Sequence, residues 1–265
     1  MNARPVFVVC PPRSGSTFVV ALLDSHPRVA MTNEAAWVTF LRKAFLLAST
    51  PAGRWVDDGE NLRTPGILPE RYTRDVAMSF LAVMQPFVGE LFLRAKGPGA
   101  RDWYGDKVMS LQDLQFASEW FPDAAFVQLV RDPRDMVAST YAFQDKQPAA
   151  WEQATFEQRV GHMDGFLRES SRLLAGKRSL VVRYEDLMAD PVAGATRLFE
   201  FLGIGMAPEV RAYLDGRAGQ MFASHGTSSS PQASIGRWRQ DLDAAQQAAA
   251  NAQLAGVLPQ FGYER

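Results

Sequence analysis

Residues 6–27 read VFVVCPPRSGSTFVVALLDSHP, and this stretch decides the fold. Val6 to Cys10 is a short apolar run ended by Pro11-Pro12. An unbroken apolar run of that length suits a parallel strand covered on both faces. Ser16 to Leu23 reads as a helix that stops at Asp24-Ser25-His26-Pro27. The loop between strand and helix, CPPRSGST (Cys10 to Thr17), has the composition of a phosphate cradle. Backbone N–H groups curling around a helix N-terminus supply donors and positive potential together. Gly15 lets the backbone approach a ligand, Ser14, Ser16 and Thr17 add hydroxyls, and Arg13 adds a fixed fork of positive charge. The plain alternative is a tight strand–helix turn with a surface arginine.

Outward from this unit, further apolar runs at Ala125 to Val130 and Ser179 to Arg183 read as strands. Helical patterns cover Glu34 to Ala48, Glu70 to Arg94, Gln112 to Trp120, Trp151 to Leu174, Val192 to Leu202 and Glu209 to Asp215. Another helix starts directly after the second strand. Asp132 is placed to cap it, Pro133 suits its first position and Asp135 its first turn. Strands alternating with helices predict an α/β, three-layer, P-loop-like fold with a central parallel sheet flanked by helices. Ligands of such folds bind at the carboxyl ends of the strands. Three segments are expected there: Pro11 to Thr17, Arg131 to Ser139 and Tyr184 to Asp186. Residues 1–265 are read as one domain, with a helical insertion at about 34–100.

Composition narrows the classes. The chain has 265 residues, 47% apolar, and a net charge of −1. That leaves no global field for nucleic acid or an anionic membrane. With one cysteine, Cys10, no intrachain disulfide forms. No run approaches the roughly 18 apolar residues of a membrane span, and the chain is read as cytoplasmic. Against the NTPase P-loop GxxxxGK[ST], an overlay on Gly15 puts Cys10 at the first glycine and Ser16 at the lysine. The loop therefore fits a phosphate while lacking the lysine of ATP chemistry.

These motifs resemble the PAPS-dependent sulfotransferases, closest to the branch of tyrosylprotein sulfotransferases and bacterial stand-alone enzymes. The likeness runs through PPRSGST, LLDSHP and the following glutamate. It continues in LVRDPRDMVAS (Leu129 to Ser139), VVRYEDL (Val181 to Leu187), FEFLGI (Phe199 to Ile204) and the terminal FGY (Phe261 to Tyr263). The resemblance implies transfer of a sulfuryl group from 3′-phosphoadenosine 5′-phosphosulfate (PAPS) to a hydroxyl, releasing 3′-phosphoadenosine 5′-phosphate (PAP). By resemblance, Arg13, Ser14, Gly15, Ser16 and Thr17 hold the 5′-phosphosulfate, Arg131 and Ser139 the 3′-phosphate, and Tyr184 lies near the adenosine. The late segment from Ser228 to Arg237, with Trp238, resembles the part that closes over the nucleotide. Phe143 stands where that branch carries another arginine, and Arg239 is the candidate substitute.

The same resemblance makes Glu34 the candidate general base and Lys107 the group that steadies the leaving oxygen, with Arg13 sharing the charge. Their plain readings are a residue opening a helix and a surface lysine near a chain reversal. His26 is the reserve base, while His162 and His225 read as packed or solvated. Asp132 and Asp186 read as helix caps. No metal is expected, since no cluster has ligand spacing. The resemblance implies a small-molecule or peptide hydroxyl as acceptor. Aromatic residues between Trp37 and Ala100 favour a hydrophobic or aromatic one, with Trp55 and the loop Pro51 to Pro69 as a lid. Oligomeric state is not legible. Two other classes share the loop: a small-molecule kinase with an altered P-loop, and a non-catalytic PAP-binding module.

Overall fold

A computed structural model describes residues 3–49, 55–56, 62–63, 70–97, 99, 101–146, 154–216, 228 and 230–264. The central sheet is built from β1 (Arg4–Val9), β2 (Val29–Met31), β5 (Trp103–Val108), β6 (Ala125–Val130) and β7 (Ser179–Arg183). Their order is β2-β5-β1-β6-β7, and every pairing is parallel. A separate antiparallel pair joins β3 (Trp55–Val56) to β4 (Leu62–Arg63).

Alternation along the strands explains the three layers. Val6, Val8 and Cys10 enter one core cluster with α1 (Ser16–Asp24), α7 (Tyr184–Ala189) and α8 (Pro191–Leu202). Phe7 and Val9 point the other way, into a cluster with α2 (Trp37–Ser49), α3 (Glu70–Ala95) and α4 (Leu111–Trp120). Successive strand side chains face opposite sides, so a strand apolar at every position is stable only between two helical layers. A third cluster packs α5 (Pro133–Lys146) and α6 (Phe156–Leu174) against residues of the C-terminal segment, including Trp238, Leu254 and Phe261.

Strands β2 and β5 are additions to the three strands expected. β2 is three residues long, and β5 is WYGDKV, whose Gly105, Asp106 and Lys107 carry little strand propensity. Lys107 is therefore a buried strand residue rather than a surface lysine at a chain reversal. The α2 helix starts at Trp37 and not at Glu34, because Glu34 and Ala36 have φ of 62° and 57°. Those left-handed values cannot propagate a right-handed helix. α6 starts at Phe156 rather than Trp151, since Thr155 and Gln158 form a reciprocal capping box. Asp186 is not a cap; it lies inside α7, where its carboxylate meets Arg183 at 3.4 Å. Apart from β3 and β4, the expected lid at 51–69 lies outside the described residues, as does His225. Among the described residues, no helix is long and apolar enough to cross a membrane.

β1 lies at the middle of the sheet, with β5 on one side and β6 on the other. The chain leaves β1 toward the β5 edge and later returns to β6. The crevice beyond the carboxyl ends of β1 and β6 is thus a topological switch point, where open α/β sheets bind ligands.

Candidate functional site

The first loop fills that crevice. It needs two left-handed residues, Arg13 (φ 65°) and Gly15 (φ 89°), to turn from β1 into α1. Gly15 is the N-cap of α1 and offers no side-chain cap, so first-turn N–H groups stay directed at the loop. A Cβ on Gly15 would stand 2.5 Å from Cδ2 of Tyr184, so the loop backbone lies directly on that ring. Ser14 is fully buried, and its Oγ has no hydrogen-bond partner among the described residues. A buried hydroxyl left unpaired is costly and points to a ligand group.

Three arginines crowd the loop. The Arg13 Nε donates to Ser139 Oγ at 3.2 Å, and its guanidinium lies 4.3 Å over the Phe143 ring. The Arg131 Nη1 donates to the Arg13 carbonyl at 3.2 Å, and its Nη2 to the Ser234 carbonyl. The Arg131 guanidinium also lies 4.8 Å over Tyr184, while its buried Nε has no partner among the described residues. Burial, followed by repulsion from Arg131 and Arg237, pushes the Arg13 guanidinium down to about 10. Positive charges held together this way, at the N-terminus of a helix, fit a multiply charged anion.

The late segment closes over this group through Asp135. Its carboxylate accepts the N–H of Gly236 at 2.7 Å and of Trp238 at 3.0 Å. Burial raises Asp135 to about 6, against the opposing pull of these donors and Arg131. Ser234 then meets the Tyr184 hydroxyl at 3.2 Å, and Arg237 donates to Ser228 at 3.0 Å and pairs with Asp241. Trp238 joins by its backbone; its ring packs in the third core cluster between Arg134 and Arg239. Below, Glu185 accepts the Asp132 N–H at 2.9 Å and the Tyr263 hydroxyl at 2.7 Å, tying the terminal FGY to the end of β6.

Glu34 and Lys107 come together at the end of β5. Lys107 Nζ forms an ion pair with Glu34 Oε1; the lysine side chain is 4% exposed and the glutamate 54%. One partner is anchored in the sheet and the other faces outward. His26 takes a structural place: its Nδ1 accepts the Arg28 N–H at 3.0 Å and its ring packs 4.8 Å from Phe199. Asp132 caps α5, accepting the Arg134 N–H at 2.9 Å.

The expected residues Arg13, Ser14, Gly15, Arg131, Ser139 and Tyr184 thus form one connected group. Sequence reasoning covered Ser234 only as part of the late segment and gave Asp135 only a dipole role. Asp135 sits in a helix first turn, where an aspartate is ordinary, so nothing local marks it as the anchor of a loop 101 residues away.

The model of the Sulfotransferase family matches residues 5–208. Carbohydrate sulfotransferase 3 of Tetronarce californica is 31% identical over 127 residues, covering 41% of this chain and 29% of that protein. A protein-tyrosine sulfotransferase of Drosophila melanogaster is 25% identical over 203 residues, covering 75% of this chain and 38% of the other. The chain thus spans well under two thirds of either relative. The sulfotransferase domain of the olefin synthase from Synechococcus PCC 7002 has the same fold, with a TM-score of 0.64 at 19% identity. That match covers 100% of this chain and 96% of that domain.

Proposed function

Because this chain belongs to the sulfotransferase family, we propose that it transfers a sulfuryl group from PAPS to a hydroxyl acceptor and releases PAP. The observation that carries the donor assignment is the crowding of Arg13, Arg131 and Arg237 at the first loop, which also holds the buried Ser14 hydroxyl. Within this reading, α1's first turn with Ser14, Ser16 and Thr17 takes the 5′-phosphosulfate. Arg131 and Ser139 grip the 3′-phosphate, Tyr184 stands near the adenosine, and Ser228, Arg237 and Trp238 belong to the covering segment.

In the transfer, the acceptor oxygen bonds to sulfur as the bond from sulfur to the 5′-phosphate oxygen breaks. The electron pair of that bond leaves with the phosphate. Glu34 takes the acceptor's proton, and Lys107 donates to the departing oxygen. Arg13 spreads the remaining charge. Their ion pair supports the roles by holding base and donor at one point.

Trp37 and the half-exposed Phe40, three residues apart on α2 just after Glu34, support a hydrophobic or aromatic acceptor. Activity confined to highly charged sugars would sink that part.

Calorimetric titration with PAP, beside 5′-AMP and ATP, tests the donor site. PAP is expected to bind at least about tenfold more tightly than 5′-AMP, with the preference lost in Arg131→Ala, since a charged hydrogen bond contributes about 1.5–3 kcal/mol. Equal affinity for PAP and 5′-AMP removes the 3′-phosphate assignment, and with it most of the reading.

A further inference from the structure

Three consecutive residues of β5 grip the loop that carries Glu34. The Gly105 carbonyl accepts the Thr32 N–H at 2.9 Å. The Asp106 Oδ1 accepts the Ala35 N–H at 3.3 Å and the Lys107 N–H at 2.8 Å. Lys107 then meets Glu34 itself. The strand packs tightly against β1 at this point: a Cβ on Gly105 would fall 1.7 Å from the Val6 carbonyl oxygen, so no side chain fits there.

Asp106 is 1% exposed, beside a small apolar cavity that Phe7, Trp37, Tyr104 and Phe121 also line. Burial pushes its carboxyl upward, opposed by hydrogen bonds from the Lys107 N–H, the Thr32 hydroxyl, and the Ala35 and Trp37 N–H groups. A desolvated carboxylate is an expensive way to fill a core position. Apart from the Lys107 N–H, every one of those donors belongs to residues 32–37. The same segment holds two non-glycine residues in left-handed conformation, Glu34 and Ala36. Such conformations persist only where surrounding contacts over-determine them.

We propose that Asp106 is a positioning residue, bracing the strained loop so that the Glu34 carboxylate stays on Lys107 and faces the acceptor. This rests on the reading of Glu34 and Lys107 as the reacting pair. Asp106 touches neither substrate; it acts through the Ala35 and Lys107 backbones.

The test uses Asp106→Ala, Asp106→Asn, Glu34→Gln and the double variant Asp106→Ala/Glu34→Gln. PAP affinity is read by calorimetry. Formation of PAP from PAPS is followed with 4-nitrophenol as the probe acceptor, counting transfer to water as well. Asp106→Ala is expected to keep PAP affinity within about threefold while slowing PAP formation by roughly 10- to 100-fold, the scale of a displaced reacting group. Asp106→Asn recovers most of the rate, since its amide oxygen still accepts the Ala35 and Lys107 N–H groups. The double variant is no slower than Glu34→Gln, because residues acting as one unit do not add.

Losses that multiply in the double variant overturn the positioning role while leaving Glu34 as the base. So does equal loss of rate and PAP affinity in both Asp106 variants, which marks a merely structural residue. Should Glu34→Gln itself run at the wild-type rate, the Glu34 assignment fails first and the bracing role falls with it.

Discussion

Gly15→Ala probes the cradle by the smallest possible change. The new Cβ would stand 2.5 and 2.6 Å from Cδ2 and Cε2 of Tyr184. Carbon atoms rest about 3.5–4.0 Å apart, so the ring must retreat by about 1 Å. Forcing volume into a packed site costs about 1–3 kcal/mol. The left-handed backbone (φ 89°) adds about 1–2 kcal/mol for a residue with a Cβ. Together these predict a loss of about 2–5 kcal/mol in urea unfolding. The retreating ring also leaves Arg131, 4.8 Å above it, and the Ser234 hydroxyl at 3.2 Å. PAP affinity should therefore fall more than tenfold under conditions where the variant is folded. Repeating the substitution in a Tyr184→Ala background removes the collision and leaves only the backbone cost. An equal penalty in both backgrounds would refute the collision, and no penalty in either would refute the backbone argument too.

Two further outcomes follow from named groups. Asp135 is raised by burial from 3.8 to about 6, so the folded state holds the extra proton between those values. Its stabilising contribution is full below about pH 4 and is lost as pH rises through 6, a change of about 3 kcal/mol. Urea unfolding of wild type minus Asp135→Asn, from pH 4 to 7, should show that falling limb; a flat difference would contradict the burial of the carboxylate. Phe143→Ala removes the ring 4.3 Å from the Arg13 guanidinium. A desolvated cation–π contact is about 0.5–2 kcal/mol, so PAP should bind about 2- to 30-fold more weakly by calorimetry, and unchanged affinity would show that Ser139 alone orients Arg13.

The parts of the fold legible in sequence are those where local preference and final environment agree. β1, β6 and β7 are apolar runs closed by punctuation, and the α5 start at Asp132-Pro133 has its cap chemistry in order. β5 was hidden because Gly105, Asp106 and Lys107 are chosen for tight packing, bracing and charge rather than for strand propensity. Glu34 was found by its motif, yet its conformation was not. A glutamate ahead of an apolar helical pattern reads as helix, while contacts from 71 and 73 residues away hold it outside one. The departure at Phe143 was visible in sequence, but its ring under Arg13 needs the loop's left-handed turn to be seen.

The strap across the crevice has a consequence for the order in which the molecule assembles. Its anchors join Arg131 to Ser234 and Asp135 to Gly236, partners 103 and 101 residues apart, while Tyr263 reaches back 78 residues to Glu185. Contacts of such separation carry a closure entropy that nearer pairings avoid, and topologies rich in them fold slowly. The sheet's β1–β6 pairing and the first loop, with Arg13 and Arg131, can exist before these late segments arrive; Arg237 joins them only afterwards. A ligand that needs all three arginines would therefore bind only after the late segment has docked, and it would hold together parts of the polypeptide synthesised far apart.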